Sequence, residues 1–193
     1  MPDQTIDLKP TTLRTVQVVA LVLVAFKFVQ LATTGIFQDE AYYWMWGQHP
    51  ALSYYDHPPL NAWLLGASSF LLGWNNLAVR VPVAMSFLAD VGALFLMSVR
   101  FAGRDWQGHF WVTLLLFLTT PMYWLVTSMA LPDHLLLTGC LFAILFFARF
   151  FMDRANGNPG LDRDLYLGAL ALGVAGLAKY NAALLALALA LYV

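Results

Sequence analysis

The chain has 193 residues, of which 61% are hydrophobic and 11% are charged, and its formal net charge at pH 7 is −1. A soluble globular domain carries about 25% charged residues, so this composition excludes that class and indicates a membrane protein. The near-neutral charge provides no basic surface for nucleic acid, and the single cysteine excludes an internal disulfide.

Long apolar segments define the predicted architecture. A helix needs about 20 apolar residues to cross a bilayer. The segments that meet this length are 13–33, 77–99, 109–128 and 134–152. A fifth begins near Leu165, meets Lys179 and resumes over 182–193, so Lys179 either ends one helix at an interface or lies within a longer helix. The predicted fold class is an all-α, polytopic transmembrane helix bundle.

Residues 1–193 are interpreted as a single incomplete transmembrane domain. The chain stops inside an apolar run, so we expect it to be the N-terminal part of a longer protein, with about five to six membrane helices and inactive alone. Lys27 lies near the end of the first span, and its side chain is expected to snorkel toward the headgroups. Asp90, inside the second span, is expected to pair with a polar group of the bundle.

The short apolar segment Leu60–Leu72 decides which acids share a side of the membrane. From Pro59 to Gly73 it would extend only about 22 Å as a helix, short of the roughly 30 Å hydrocarbon core. If it does not cross, most basic residues lie on one side: Lys9, Arg14, Arg100, Arg104, Arg149, Arg154 and Arg163. The positive-inside rule then favours a cytoplasmic N-terminus. The four acids at the polar breaks would meet at the outer face: Asp39, Glu40, Asp56 and Asp133.

Residues 34–76 are predicted to be an outer loop with juxtamembrane helices. Segment 38–47 is rich in tyrosine and tryptophan, which is typical of a helix lying at headgroup depth. Pro50 ends this helix, and Pro58-Pro59 begins the next one. Arg80, at the outer start of the following span, is most simply a headgroup anchor.

The outer acids allow more than one interpretation. Adjacent Asp39 and Glu40 suit general-base chemistry or cation binding, whereas Asp39 alone could simply cap the helix that follows. Asp56-His57 before two prolines is either an ordinary loop or a rigid pair suited to a phosphate or sugar headgroup. A metal site built from histidines and acids has no specific ligand spacing, although a divalent cation is compatible with the acids. No nucleotide-binding motif is present, and no cofactor is indicated.

Five short motifs occur in an order that resembles a known enzyme family. They are Asp39-Glu40-Ala41-Tyr42-Tyr43, Tyr55-Asp56-His57-Pro58-Pro59-Leu60, Val79-Arg80-Val81-Pro82, Pro132-Asp133 and Gly176-Leu177-Ala178-Lys179-Tyr180. Together they resemble the N-terminal half of the bacterial dolichyl-phosphate-mannose-protein mannosyltransferase-like family. This is the family 39 group of GT-C glycosyltransferases, which is related to the aminoarabinose transferases that modify lipid A.

The resemblance implies roles for particular residues. The acid that opens the first outer loop would be catalytic, which matches Asp39, with Glu40 beside it, and Asp133 would complete the site from the second outer loop. Asp56 and His57 would contact the donor phosphate region. The aminoarabinose transferases carry lysine where this chain has His57, so a fixed positive charge is missing at that position.

Two further residues are assigned to the donor side of this site. Tyr55 belongs to the motif that contains Asp56 and His57, and it is grouped with them as a substrate-binding residue. Lys179 is the second candidate, after His57, for stabilising the charge on the leaving phosphate.

The implied reaction is inverting transfer of a sugar from a polyprenyl-phosphate-linked donor to a lipid, glycan or protein acceptor at the periplasmic face of the bacterial inner membrane. Membrane lipids would be partners, and nucleic acid would not. Two alternatives stay open, since acids in membrane proteins also line ion pathways. The chain could be a multi-pass transporter or ion-binding protein, or a catalytically incomplete fragment.

Overall fold

The computed structural model describes residues 8–157 and 162–192, and within these ranges the regular structure is entirely helical, which confirms the predicted all-α fold. The α-helices in chain order are α1 Pro10–Thr33, α2 Gln38–Trp46, α3 Leu60–Leu72, α4 Asn76–Phe101, α5 Trp106–Thr119, α6 Pro121–Val126, α7 Pro132–Ala155, α8 Asp162–Ala178 and α9 Ala182–Tyr192.

Three of the described helices, α1, α4 and α7, are long and apolar enough to cross a membrane. They have 24, 26 and 24 residues and correspond to the predicted spans 13–33, 77–99 and 134–152. Large apolar side chains cover the outside of α1, which is the surface expected of a helix facing lipid: Val18, Leu21, Val22, Phe26 and Val29.

The prediction of one continuous helix over 109–128 is wrong. Helix α5 ends at Thr119 and α6 begins at Pro121, with Thr120 in an extended conformation between them. A residue before proline avoids the helical region, which explains the break. The Thr120 hydroxyl donates to the carbonyl oxygen of Leu116 at 2.7 Å, so a side chain supports the end of α5.

After α1, helices α2 and α3 bring the chain back to the same end of the bundle, where α4 begins. The Asn76 side-chain amide, at the start of α4, donates to the carbonyl oxygen of Thr34, just past α1, at 3.3 Å. The intervening residues therefore begin and end at the same place. With 13 residues, α3 is the longer of the two helices between these points, and it is too short to cross a bilayer.

We call the end of the bundle that contains the α1–α2 turn and the starts of α4 and α7 the acidic end. The opposite end is held by two ion pairs, Arg100 with Asp153 and Arg149 with Asp164. Lys179 follows the last residue of α8 and precedes α9, so it lies in a break between helices rather than within one.

Lys27 does not snorkel to the headgroups as the sequence suggested. Its side chain is fully buried within the bundle, and its ammonium donates to the Trp124 carbonyl and the Ser128 hydroxyl. Phe87 and Trp124 supply aromatic faces beside the ammonium. These partners lie inside the protein, and they replace the interfacial water that snorkelling would have reached.

Close packing at small residues joins α7 to α8. A Cβ atom added at Gly139 would lie 2.7 Å from the Cβ atom of Ala175 and 3.0 Å from its backbone nitrogen and Cα atoms. Small residues let helix backbones approach closely in membranes, where apolar burial gives helices no preference for each other over lipid. Gly139 is therefore required by the α7–α8 contact.

We predict that Gly139→Ala lowers the unfolding temperature of the protein in detergent, because α7 and α8 must move apart or strain. Overpacking of this kind costs about 1–3 kcal/mol. Gly92→Ala in α4 is the matched control, since nothing lies within 4 Å of its added methyl group. Equal thermal stability of the two variants would show that the glycine contact is not limiting.

Candidate functional site

Three of the predicted acids gather around one tyrosine at the acidic end. Burial raises the pKa of the Tyr43 phenol, and the carboxylates of Asp56, Asp133 and Asp39 raise it further. Residues distant in sequence are therefore close in space, since their charges all reach the same phenol. A phenol is protonated near neutral pH even at its ordinary pKa of 10, and the raised pKa extends this to higher pH, so the Tyr43 hydroxyl can donate a hydrogen bond.

Asp39 and Glu40 are adjacent in sequence but have opposite environments. Asp39 is exposed in the first turn of α2, and its carboxylate accepts no hydrogen bond from the residues that the structure describes. Glu40 is fully buried. Successive residues of a helix point about 100° apart, so one carboxylate can face solvent while the next enters the bundle.

The buried carboxylate of Glu40 accepts four hydrogen bonds. Arg80 donates two of them, from Nη1 to Oε1 at 2.5 Å and from Nη2 to Oε2 at 3.0 Å. The backbone N–H of Phe37 donates to Oε2 at 2.9 Å, and that of Ala130 donates to Oε1 at 2.8 Å. Glu40, not Asp39, therefore satisfies the backbone at the start of α2. Both of its oxygens are engaged.

Arg80 is not a headgroup anchor, because its side chain is buried against Glu40. Its Nη2 atom also donates to the carbonyl oxygen of Gly35 at 2.6 Å. The guanidinium thus ties the turn between α1 and α2 to α4, while Glu40 ties the same turn to Ala130 before α7. Buried charges need this degree of pairing, since an unpaired charge is costly to bury.

Asp133 and Lys179 form an ion pair at the acidic end. The Lys179 ammonium lies 2.7 Å from Asp133 Oδ1, and both side chains keep some contact with solvent, at 21% and 40% exposure. Asp133 lies in the first turn of α7, where a helix N-terminus favours negative charge. Lys179 reaches it from the break between α8 and α9. The ion pair is therefore accessible to a ligand.

The loop between α2 and α3 carries Asp56 and His57. The Tyr42 hydroxyl donates to Asp56 Oδ2 at 3.1 Å, and the His57 ring lies 5.5 Å from the ring of Tyr43. Tyr54 stacks on Trp46 at 4.7 Å, which fastens the loop to α2. Asp56 and His57 are therefore held beside Tyr43.

Tyr55 is almost fully exposed, with a relative accessibility of 96%. A substrate contact from Tyr55 would be made at the edge of the site.

The local environment lowers the pKa of His57 below its ordinary value of 6.5. Burial is the main cause, and the positive charge of Lys179 acts in the same direction. The carboxylates of Asp133 and Asp56 oppose the shift without overcoming it. His57 is thus neutral at pH 7, and Lys179 is the cation beside it.

Asp90 finds the polar partners expected of it. Its Oδ2 atom lies 3.0 Å from His134 Nε2, and its Oδ1 atom accepts a hydrogen bond from the Thr138 hydroxyl at 2.6 Å. Both Asp90 and His134 are buried. His134 consequently faces α4, on a different side of α7 from Asp133 and Lys179.

Metal binding receives no geometric support in the part of the chain that the structure describes. Within residues 8–157 and 162–192, no group of three or more histidine, cysteine, aspartate or glutamate side chains could hold a metal ion. The His134 ring is engaged by Asp90.

Sequence reasoning missed the part played by Tyr43 and Arg80. Tyr43 was one of several aromatic residues in segment 38–47, and composition alone does not distinguish the ring that faces the acids. Arg80 had a clearer signal, since an arginine at a span end that faces an acid-bearing turn can form a buried bidentate pair. No signal in the sequence could have identified Ala130, because only its backbone N–H binds Glu40.

Comparison with known proteins identifies a family. Residues 56–193, well over half of the chain, match the profile of the dolichyl-phosphate-mannose-protein mannosyltransferase family. The chain is 35% identical over 85 residues to the lipid A galacturonosyltransferase RgtD of Rhizobium johnstonii. That alignment covers 42% of this chain and 18% of the relative.

A second relative is the undecaprenyl phosphate-alpha-4-amino-4-deoxy-L-arabinose arabinosyl transferase of Shewanella sediminis. It is 37% identical over 68 residues, which cover 35% of this chain and 12% of the relative. The aligned part therefore spans less than a fifth of either curated relative. No solved structure matches the chain. With its family profile and its apolar helices, this chain belongs to the dolichyl-phosphate-mannose-protein mannosyltransferase family as a multi-pass membrane protein.

Proposed function

We propose that the protein is a membrane glycosyltransferase that moves a sugar from a polyprenyl-phosphate-linked donor to an acceptor by inverting displacement. The observation that carries this proposal is the cluster of Asp39, Asp56 and Asp133 around Tyr43, with Lys179 and His57 beside it. An apolar bundle places this cluster at one of its ends. The names of the two relatives describe sugar transferases, one of which acts on lipid A.

The donor phosphate is assigned to Lys179 and His57. As the sugar leaves, the phosphate oxygen gains negative charge, and a nearby cation lowers the energy of the transition state. Lys179 supplies the ammonium that pairs with Asp133, whereas the lowered pKa of His57 makes it a hydrogen-bonding group near neutral pH. The order of the two candidates is therefore reversed from that expected from the sequence.

Asp39 is the proposed general base. It is exposed, and its carboxylate has no hydrogen-bond partner among the described side chains and backbone groups, so it is free to accept a proton. The acceptor hydroxyl or amine would give its proton to Asp39 and form a bond to the anomeric carbon. The bond from that carbon to the phosphate oxygen breaks, and polyprenyl phosphate leaves with the electron pair.

The other acids are assigned supporting roles. Asp133 orients Lys179 through their 2.7 Å contact. Asp56, which accepts from Tyr42, would contact the donor sugar together with Tyr55. Glu40 is proposed to position Asp39, because its own oxygens are already engaged by four donors.

The proposed site faces the periplasm of a bacterial inner membrane, and the N-terminus is cytoplasmic. Basic side chains at the opposite end of the bundle support this orientation, since Arg100 and Arg149 lie there. A donor carried by a membrane lipid suits a site with no cytoplasmic nucleotide supply. The acceptor is a lipid, glycan or protein that reaches the same face.

We predict that Asp39→Asn in the complete protein lowers sugar transfer by about 10²–10⁴-fold, which is the usual contribution of a general base. The assay measures release of polyprenyl phosphate from radiolabelled polyprenyl-phosphate sugars in membranes, with and without candidate acceptors. Membrane insertion and unfolding temperature should not change, because Asp39 is exposed.

The control for this substitution is Asp105→Asn, which removes an acid from the turn before α5. It should transfer sugar at the normal rate. Full turnover by Asp39→Asn would remove Asp39 from the reaction.

The His57 environment generates a prediction about pH. Because the pKa of His57 is below 6.5, the ring gains its proton only as the pH falls below that value. Protonation adds a second cation beside Lys179, so the KM for the anionic donor should fall as the pH is lowered from neutral through the acid range below 6.5. The same measurement on His57→Asn should lack this decrease. An identical pH dependence in both proteins would show that His57 does not contact the donor phosphate.

A further inference from the structure

Lys27 is a buried cation that the proposed chemistry does not use. It lies within α1, and its side chain has no exposure to solvent. A charge inside a membrane bundle is costly and is by default a candidate for a functional role. Its contacts indicate which part of the protein it controls.

The ammonium of Lys27 binds the end of the short helix α6. It donates to the Trp124 carbonyl oxygen at 3.1 Å and to the Ser128 hydroxyl at 2.8 Å. The last carbonyls of a helix lack backbone partners, and a cation near them is favourable. The Trp124 ring centre is 4.4 Å from the same ammonium, which adds a cation–π contact. Lys27 therefore fixes how α6 ends.

The turn that follows α6 leads directly to the site. We call residues 127–133 the site turn. Glu40 accepts a hydrogen bond from the Ala130 N–H at 2.8 Å, and the Asn61 side-chain amide donates to the Ala130 carbonyl oxygen at 3.1 Å. Asp133 lies three residues further on. The site turn is thus held by buried polar groups from α1, α2 and α3.

These groups act at two places along the turn. Lys27 binds its beginning through Ser128, while Glu40 and Asn61 bind its middle through Ala130. Just after its far end, His134 contacts Asp90 of α4. Without Lys27, α6 would lose its hydrogen bond to α1 at Trp124, and the beginning of the turn would lose its hydrogen bond to α1 at Ser128. An apolar residue of similar length would fill the space but would not fix the backbone.

We propose that Lys27 is a positioning residue for the sugar-transfer site, an inference that rests on the function proposed above. By fixing the site turn from inside the bundle, it sets where Asp133 meets Lys179 and where Glu40 is held beside Asp39. Lys27 touches no substrate. Its loss would change the geometry of the reacting groups and would leave the donor-binding cation in place.

The test compares Lys27→Met with the unchanged complete protein in lipid nanodiscs by hydrogen exchange and by kinetics. Loss of hydrogen bonds from a charged donor should raise exchange of the site-turn amides by about tenfold or more. Exchange in the middle of α7, over 143–150, should stay the same. The kcat for sugar transfer should fall by a similar factor, with less than about a twofold change in donor KM.

Two other variants complete the comparison. Arg14→Met removes a positive charge from the exposed beginning of α1 and should change neither exchange nor kcat. Ser128→Ala removes one of the two acceptors of Lys27 and should change both in the same direction as Lys27→Met, by a smaller factor. If Lys27→Met does not insert, Ser128→Ala decides the result alone.

The outcomes separate the two proposals. Unchanged exchange of the site turn in the variants overturns the role of Lys27, whatever happens to activity. A uniform rise in exchange over α1, α6 and α7 also overturns it, because Lys27 would then support the bundle as a whole. If the unchanged protein transfers no sugar with any donor, the proposed function fails, while the exchange comparison still decides whether Lys27 fixes the turn.

Discussion

The buried ion pair between Glu40 and Arg80 is the constraint on which the acidic end depends. One carboxylate joins three segments, because it accepts from Arg80 on α4, from the Phe37 N–H at the start of α2 and from the Ala130 N–H before α7. Removing one partner of such a pair leaves an uncompensated buried charge, at a cost of about 3–5 kcal/mol. The bidentate geometry fixes direction as well as distance.

The ion pair explains how exposed acids can be held in place. Asp39 follows the turn at the start of α2, and Asp133 follows Ala130. Because the buried ion pair fixes the backbone at both places, it also limits where these two acids can lie. Neither acid has to be buried to be ordered. Exposure leaves them accessible to a substrate, while the hydrogen-bonded backbone beneath limits their movement. In the proposed reaction, this arrangement would supply the preorganisation that proximity catalysis requires.

The fold could be predicted from the sequence wherever the length of an apolar segment determines whether its helix is long enough to cross a membrane. Helices α1, α4 and α7 follow the predicted spans, and Leu60–Leu72 forms the predicted short helix, which has only 13 residues. The continuous helix over 109–128 was predicted wrongly because hydropathy does not register Pro121. Hydropathy is an average over a window, whereas a helix break depends on a single residue and the one before it.

The candidate site was only partly predictable, for a physical reason. The sequence shows which residues are chemically capable, and it pointed to Asp39, Asp133 and Lys179. It does not show which of two adjacent acids turns inward, and this decides that Glu40 is buried while Asp39 is exposed. The sequence also led to the prediction that Lys27 reaches the headgroups. Snorkelling and internal pairing both satisfy the charge of a lysine, and only the packing of the bundle selects between them.

A double-mutant cycle on Glu40 and Arg80 tests the central claim most directly. Unfolding temperature and sugar transfer would be measured for Glu40→Gln, for Arg80→Met and for the protein with both changes. We expect each single change to lower both quantities, and the double change to be no more damaging than the worse single change, since one interaction is lost. Losses that simply add would contradict the claim that the pair acts as one interaction. Loss of transfer in Glu40→Gln with an unchanged unfolding temperature would also contradict it, and would make Glu40 a reacting group.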